Sequence, residues 1–265
     1  MTEFMGARKQ ILRRRVFVGV FALALLGACT GSVAVAEESM DDRSFSLEMT
    51  FSSRYVWRGI NLVDDPVFQP SISATHRGFT LSIWGNMEMT NSNDEVGEFT
   101  EIDYVFDYTW SWNELSLSAG AIHYQFPNVG PPTTTEVYGG VGLDVLLSPT
   151  LTVYQDVDQA DGTYAALSLG HTFEGAWAIS DGIRMSVDLS SSIGYGSSNF
   201  TDFYYGSESV AFTDALISVG LPIAIVERWT ITPSVSYSSL LDGGVRRGMD
   251  EDDNVWGGLS LSFSF

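Results

Sequence analysis

The chain runs to 265 residues, 45% hydrophobic and 13% aromatic, with 13 basic against 33 acidic residues and a formal charge of −20. That balance excludes a nucleic-acid or anionic-leaflet binder, and the aromatic content excludes disorder. After residue 36 the longest apolar stretch, GLPIAIV at 220–226, falls far below the roughly 18 residues that a membrane-spanning helix needs.

In chain order, Arg8, Lys9, Arg13, Arg14 and Arg15 precede the apolar run VFVGVFALALLGA, and Ala34 and Ala36 form an A-x-A site. Residues 1–36 are predicted to be a secretory signal peptide removed after Ala36, followed by a short segment over 37–43. LGAC at Leu26–Cys29 offers a second reading, lipoprotein processing with lipid on Cys29. Removal of 1–36 takes five of the 13 basic residues and one of the 33 acids, Glu3. Eight arginines then face 32 acids, a formal −24. Cys29 is the only cysteine, so there is no disulfide framework.

From residue 44 onward the pattern alternates with a period of two. Runs fall near 44–58, 67–77, 79–89, 100–112, 114–126, 134–147, 149–160, 163–174, 183–196, 211–224, 229–240 and 254–265. Most are about ten residues long, the length a tilted strand needs to cross a bilayer. One face is apolar, as in Phe45, Leu47, Met49 and Phe51, or in Ile217, Val219, Leu221 and Ile223. The other carries Ser, Thr, Gly and charge. Links alternate in size: His76–Gly78, Ser111–Glu114, Ser148–Thr150 and Val226–Arg228 are short, whereas NLVDDP, NSNDEVGE, PNVGPPTT, YGSSNFTDFYYGSESV and LDGGVRRGMDEDDN are long. Short periplasmic turns and long outer loops are the outer-membrane pattern. Two links depart from it: Gln159–Gly162 is short for an outer loop, and EGAWAISDG is long for an inner turn. Tyr55, Trp57, Trp110, Trp112, Tyr195 and Trp229 sit at expected strand ends, where amphipathic rings meet the headgroups.

The fold class this predicts is all-β: a transmembrane, antiparallel, up-and-down β-barrel of twelve strands over 44–265 in the bacterial outer membrane of a Gram-negative cell. A soluble sandwich needs one dry inner face, and these inner faces hold too many charges for that. The final run, VWGGLSLSFSF, pairs with the first to close the sheet, because lipid leaves no backbone group unpartnered. Phe265 would anchor it at the inner rim and resembles the signal read by the outer-membrane assembly machinery.

Strand parity turns Glu48, Glu88, Glu101, Asp103, Asp107, Glu136, Asp144, Asp156, Asp158, Asp188 and Asp214 inward, against Arg54, Arg58 and Arg184. Gln69 and Trp84 share that lining. Like charges about 7 Å apart repel by roughly 0.6 kcal/mol in water and about 2.4 kcal/mol at a dielectric of 20. Water and mobile cations relieve that cost, so the expectation is a narrow, water-filled, cation-preferring pore for small cationic or neutral solutes. A salt-bridge lattice of Arg54 and Arg58 with Glu48, Glu88 and Gln69, bracing the first strands, is the alternative for those residues. Loop acids Asp64, Asp65, Asp250, Glu251, Asp252 and Asp253 read as solvated, or as sharing divalent cations with lipopolysaccharide.

The stretch SSRYVWRGINLVDDPVFQPSISATHRGFTLSIWGN, Ser52 to Asn86, resembles the TorF-type porin family, a conserved bacterial outer-membrane family without an assigned function. The matching features are Ser53, Tyr55 and Arg58-Gly59, then Pro66 with Gln69, Gly78-Phe79 and Trp84. TEVYGGVGLDVLLSPTLTVYQDVDQADGTYAALSLGH carries the likeness on to about residue 173, beyond which it thins. The resemblance implies an outer-membrane barrel presumed to form a pore, with no agreed substrate and no catalytic residues. Tyr55 and Trp57 are expected to face lipid, and Arg54 and Arg58 the bore.

Two other classes stand beside the pore: a non-conducting structural barrel, and a lipid-hydrolysing outer-membrane enzyme. The enzyme would need a Ser–His pair on the lipid-facing wall. Parity turns His123 outward, and Ser118 does not share its face. Nothing resembles a nucleotide, zinc or haem motif, so no cofactor is expected.

Overall fold

The computed structural model describes residues 43–91, 96–180, 183–226 and 228–265. The expected signal peptide, with its cleavage site at Ala36, and Cys29 lie outside the described residues. The alternating runs become β1 (Arg43–Ser52), β2 (Tyr55–Trp57), β3 (Ile60–Val63), β4 (Val67–His76), β5 (Phe79–Glu88), β6 (Phe99–Trp112), β7 (Leu115–Gln125) and β8 (Thr134–Leu143). They continue as β9 (Thr150–Asp156), β10 (Thr163–Ser180), β11 (Ile183–Gly196), β12 (Ala211–Gly220), β13 (Ile223–Val226), β14 (Trp229–Leu240) and β15 (Asp253–Ser264).

Neighbours in the wall are antiparallel, and β1 also pairs with β15, with Leu47 opposite Phe263 and Phe51 opposite Leu259. β10 pairs with β11 on the far side, so the sheet closes into a twelve-strand barrel with no free edge. The tenth wall strand is β12 and β13 together. The register against β11 and β14 is the same on either side of Leu221–Pro222, and it shifts between Ile193 and Tyr195 on the β11 side and between Ala224 and Val226 on the β14 side. Pro222 has no N–H to donate. Its carbonyl still accepts from Ser186 N at 2.9 Å, and Leu221 N–H donates to Pro233 O at 2.9 Å.

Turns at one rim are short and the loops at the other long, which assigns the first to the periplasm and the second to the exterior. Rings and aliphatic chains such as Leu81, Phe106, Trp110, Trp112, Leu151, Leu167, Tyr195 and Val235 stand exposed on the outside of the wall. This is the belt a bilayer would cover. At the inner rim Phe45 and Phe265 exchange backbone hydrogen bonds of 2.8 and 3.0 Å, and their rings lie 5.0 Å apart.

The barrel's core sits in its outer mouth. The first run does not continue through residue 58, as alternation predicted; β1 ends at Ser52 and the chain turns into the bore. There β2 and β3 form a hairpin whose two-residue tip is Arg58-Gly59, with φ of 43° and 83°. Positive φ at both tip residues is the twist that matches a tight hairpin. Tyr55 and Trp57 are therefore buried inside rather than facing lipid, because the hairpin carries them inward. Two short helices close the rest. α1 (Ser198–Tyr205) is capped by the Ser197 hydroxyl and ends at Gly206, with φ 65°. α2 (Gly243–Arg247) is capped by Asp242, whose carboxylate accepts from Gly244 N and Val245 N.

Candidate functional site

The bore divides into two unlike halves. Toward the periplasm, inward positions carry hydroxyls that bridge neighbouring strands: Ser46 to Ser73 at 2.6 Å, Thr50 to Ser260 at 2.7 Å and Ser218 to Ser236 at 2.8 Å. Gly140 and Gly142 lie opposite Ser118 and Ser116. Glu48, accepting from Thr50 at 3.1 Å, and Asp188 add charge there.

The outer half is packed. Arg58, at the hairpin tip, donates from both terminal nitrogens to the two Glu136 oxygens on β8, each at 2.9 Å. Its guanidinium lies 4.2 Å from the Trp57 ring centre, 4.0 Å from Tyr164, 5.0 Å from Tyr154 and 5.2 Å from Phe200. A planar fork on a carboxylate, stacked among rings, is the arrangement guanidinium suits and ammonium does not. Burial alone would lower the Arg58 pKa, but the charge and hydrogen bonds of Glu136 outweigh it and raise the pKa further, so Arg58 stays a cation. Tyr124 donates to Glu136 at 2.8 Å, and Tyr205 of α1 donates to the Arg58 carbonyl at 2.7 Å.

Other carboxylates in this half accept hydrogen bonds from phenols and hydroxyls of the plug and of the wall. Tyr55 donates to Glu101 at 3.2 Å, and Tyr204 and Thr134 donate to Asp156 at 3.1 and 2.9 Å. Tyr164 donates to Asp214 at 3.2 Å. Burial pushes the Tyr55, Tyr204 and Tyr205 phenols well above their ordinary pKa, which keeps each hydroxyl a donor. Tyr138 on β8 donates to Asp107 at 2.7 Å.

The expected lining residues therefore separate. Glu88, Glu101, Asp103, Glu136, Asp156 and Asp214 face inward but are buried beneath the plug, so they do not meet the open water expected of them. Trp84 is also inward, its ring 5.5 Å from Tyr55, and Gln69 donates to Asn86 at 3.0 Å. Asp144 and Arg184 are exposed at the inner rim and Asp158 at the outer. Arg54 lies at the outer mouth, 2.7 Å from Asp64 and 3.2 Å from Glu251. Instead of the expected lattice around Glu48 and Glu88, Arg58 pairs with Glu136, because the inward turn after Ser52 carries it across to β8, and Arg54 pairs with Asp64 and Glu251. Sequence reasoning missed α1 and its rings; the available signal was Ser197 as a cap with Phe200 and Tyr204 one turn apart. The pairing of Arg58 with Glu136, 78 residues on, left no local trace.

Ser118 lies on an inward position, whereas His123 points outward with Nδ1 3.0 Å from Thr135 Oγ1. The two do not form a hydrolytic pair.

No family model matches the sequence, and no curated protein matches it. Among solved structures, the chain is similar to the NanC porin (13% identity, TM-score 0.50, covering 82% of this chain and 98% of that one). It is also similar to the KdgM porin in complex with disordered oligogalacturonate (12%, 0.50, 84% and 99%). LpxR from Salmonella typhimurium stands at 10% and 0.50, covering 82% and 99%. The shared feature is the fold, that of bacterial outer-membrane porin-like barrels.

Proposed function

We propose that this chain is an outer-membrane channel for small cationic or neutral solutes, narrow and cation-preferring, with the inserted hairpin closing its outer mouth in the conformation described. The observation that carries this is the charge of the bore. Glu48, Glu88, Glu101, Asp103, Asp107, Glu136, Asp156, Asp188 and Asp214 occupy inward positions, and among the described residues Arg58 is the one buried base. Rings of carboxylates favour cations over anions. An acidic polymer like the oligogalacturonate in the KdgM structure would meet repulsion here. The likeness of Ser52–Asn86 to TorF-type porins supports the same reading, and with it goes the proposal that residues 1–36 export the chain to the outer membrane, that lipopolysaccharide surrounds the outer loops and that assembly proceeds through the strand ending at Phe265.

Planar-bilayer recording under a tenfold KCl gradient tests the reading. The expected reversal potential has the sign for potassium, and a chloride-selective potential would overturn it. A second reading, a non-conducting barrel, draws on the packed outer half; it predicts no single-channel events even after the hairpin is removed.

A further inference from the structure

The Arg58 pocket is built almost wholly from parts other than the hairpin that fills it. Glu136 and Tyr124 belong to the wall, Tyr154 and Tyr164 to neighbouring wall strands, and Phe200 to α1; only Trp57 travels with Arg58. If the hairpin swings out, a carboxylate with a donor on its back and three aromatic faces around it stay behind, in the outer half of the bore. Such a carboxylate with rings around it is complementary to a flat cation that presents paired N–H groups.

Resting on the channel reading, we infer that this cage is the solute-binding site of the pore, that its ligand is a small net-cationic compound bearing a guanidinium group, and that Arg58 is a tethered stand-in for that ligand. The stand-in explains why the one base buried among the described residues sits at a hairpin tip, on a residue held at φ 43°, where a side chain is disfavoured. It also sets the selectivity. An ammonium offers a point charge and no fork, so it satisfies one Glu136 oxygen where the guanidinium satisfies two. A free α-carboxylate on the solute would meet the neighbouring acids, which favours compounds without one.

Removal of the stand-in tests the site. Arg58→Gly suits the positive φ and empties the cage; Arg58→Gln is the companion that keeps most of the volume should the glycine variant fold poorly. Folded protein in a planar bilayer is titrated with methylguanidinium and, separately, methylammonium at constant ionic strength. The expected result is block of the Arg58→Gly current by methylguanidinium at concentrations at least tenfold below methylammonium, little effect on wild type, and loss of the difference in Arg58→Gly/Glu136→Gln. Equal block by the two cations, or block indifferent to Glu136→Gln, overturns the inference and leaves the channel reading standing if the KCl reversal potential is cationic. If no variant conducts, the channel reading falls. The cage is then judged by thermal unfolding in detergent: selective protection of Arg58→Gly by methylguanidinium over sodium upholds it, and its absence overturns it.

Discussion

Gly162 has no room for a side chain. A Cβ there would lie 2.5 Å from Phe200 N and 2.7 Å from Phe200 Cα, so the glycine is what lets α1 lie across the mouth. This also explains why the outer link at Gln159–Gly162 is short, since Asn199 of α1 donates to Asp161 O at 3.0 Å and Thr163 N donates to Ser197 Oγ at 2.9 Å. The helix takes the place a longer loop would fill. Gly162→Ala should push α1 off its seat and cost about 1–3 kcal/mol, because the clash is with backbone. The denaturant midpoint of the detergent-folded protein, with protease sensitivity at 198–205, measures this; an unshifted midpoint would show that the helix is seated by something else. At this scale parity marked the inward side of Glu101, Asp103, Glu136 and Asp156 but not that Asp144 and Asp158 lie exposed at the rims, and it gave no partners. Asp156 and Tyr204 lie 48 residues apart, and no local pattern links them.

The number and order of the wall elements were legible, because a strand with lipid on one side and a polar bore on the other has to alternate. Their ends were not: β10 runs on to Ser180 through part of the expected inner link, and β8 and β9 stop at Leu143 and Asp156, short of their expected ends. The same rule misled at the first outer loop. Tyr55 and Trp57 continue the alternation of Phe45–Phe51, yet they form a separate hairpin, since two consecutive strands with a short bend read like one long strand. Wall pairing reaches Ser52 opposite Val67 before that hairpin begins, so the plug hangs from a completed rung. Replacing 53–66 by Asn-Gly should therefore leave the barrel folded, as Asn-Gly suits a two-residue turn. Conductance should rise several-fold over wild type in single-channel recordings. Unchanged conductance would mean that the helices alone seal the mouth.

For the whole molecule, the decisive question is which surface meets hydrocarbon. Ile217 on β12 is 57% exposed on the outside of the wall, and its neighbour Ser218 turns inward to Ser236. Ile217→Arg should weaken folding into lipid vesicles by about 2–4 kcal/mol, the cost of arginine near the bilayer midplane. Ser218→Arg should be far milder and should instead lower cation preference. If the two costs came out equal, or in the reverse order, the outer wall would not be the lipid face. Global closure was legible because membrane burial forbids an open edge; the filling of one end was not, because aromatic residues in loops look the same whether they fold in or out.

The hydroxyl pairs of the inner half, such as Ser46 with Ser73 and Thr50 with Ser260, can trade one another for water at little net gain or loss. A tunnel surfaced this way grips nothing that passes. On the channel reading, Glu48 and Asp188 there would bias the ions that enter, recognition of solute shape would fall to the packed layer at the outer end, and throughput would follow how often the hairpin moves rather than how well the remaining length fits its cargo.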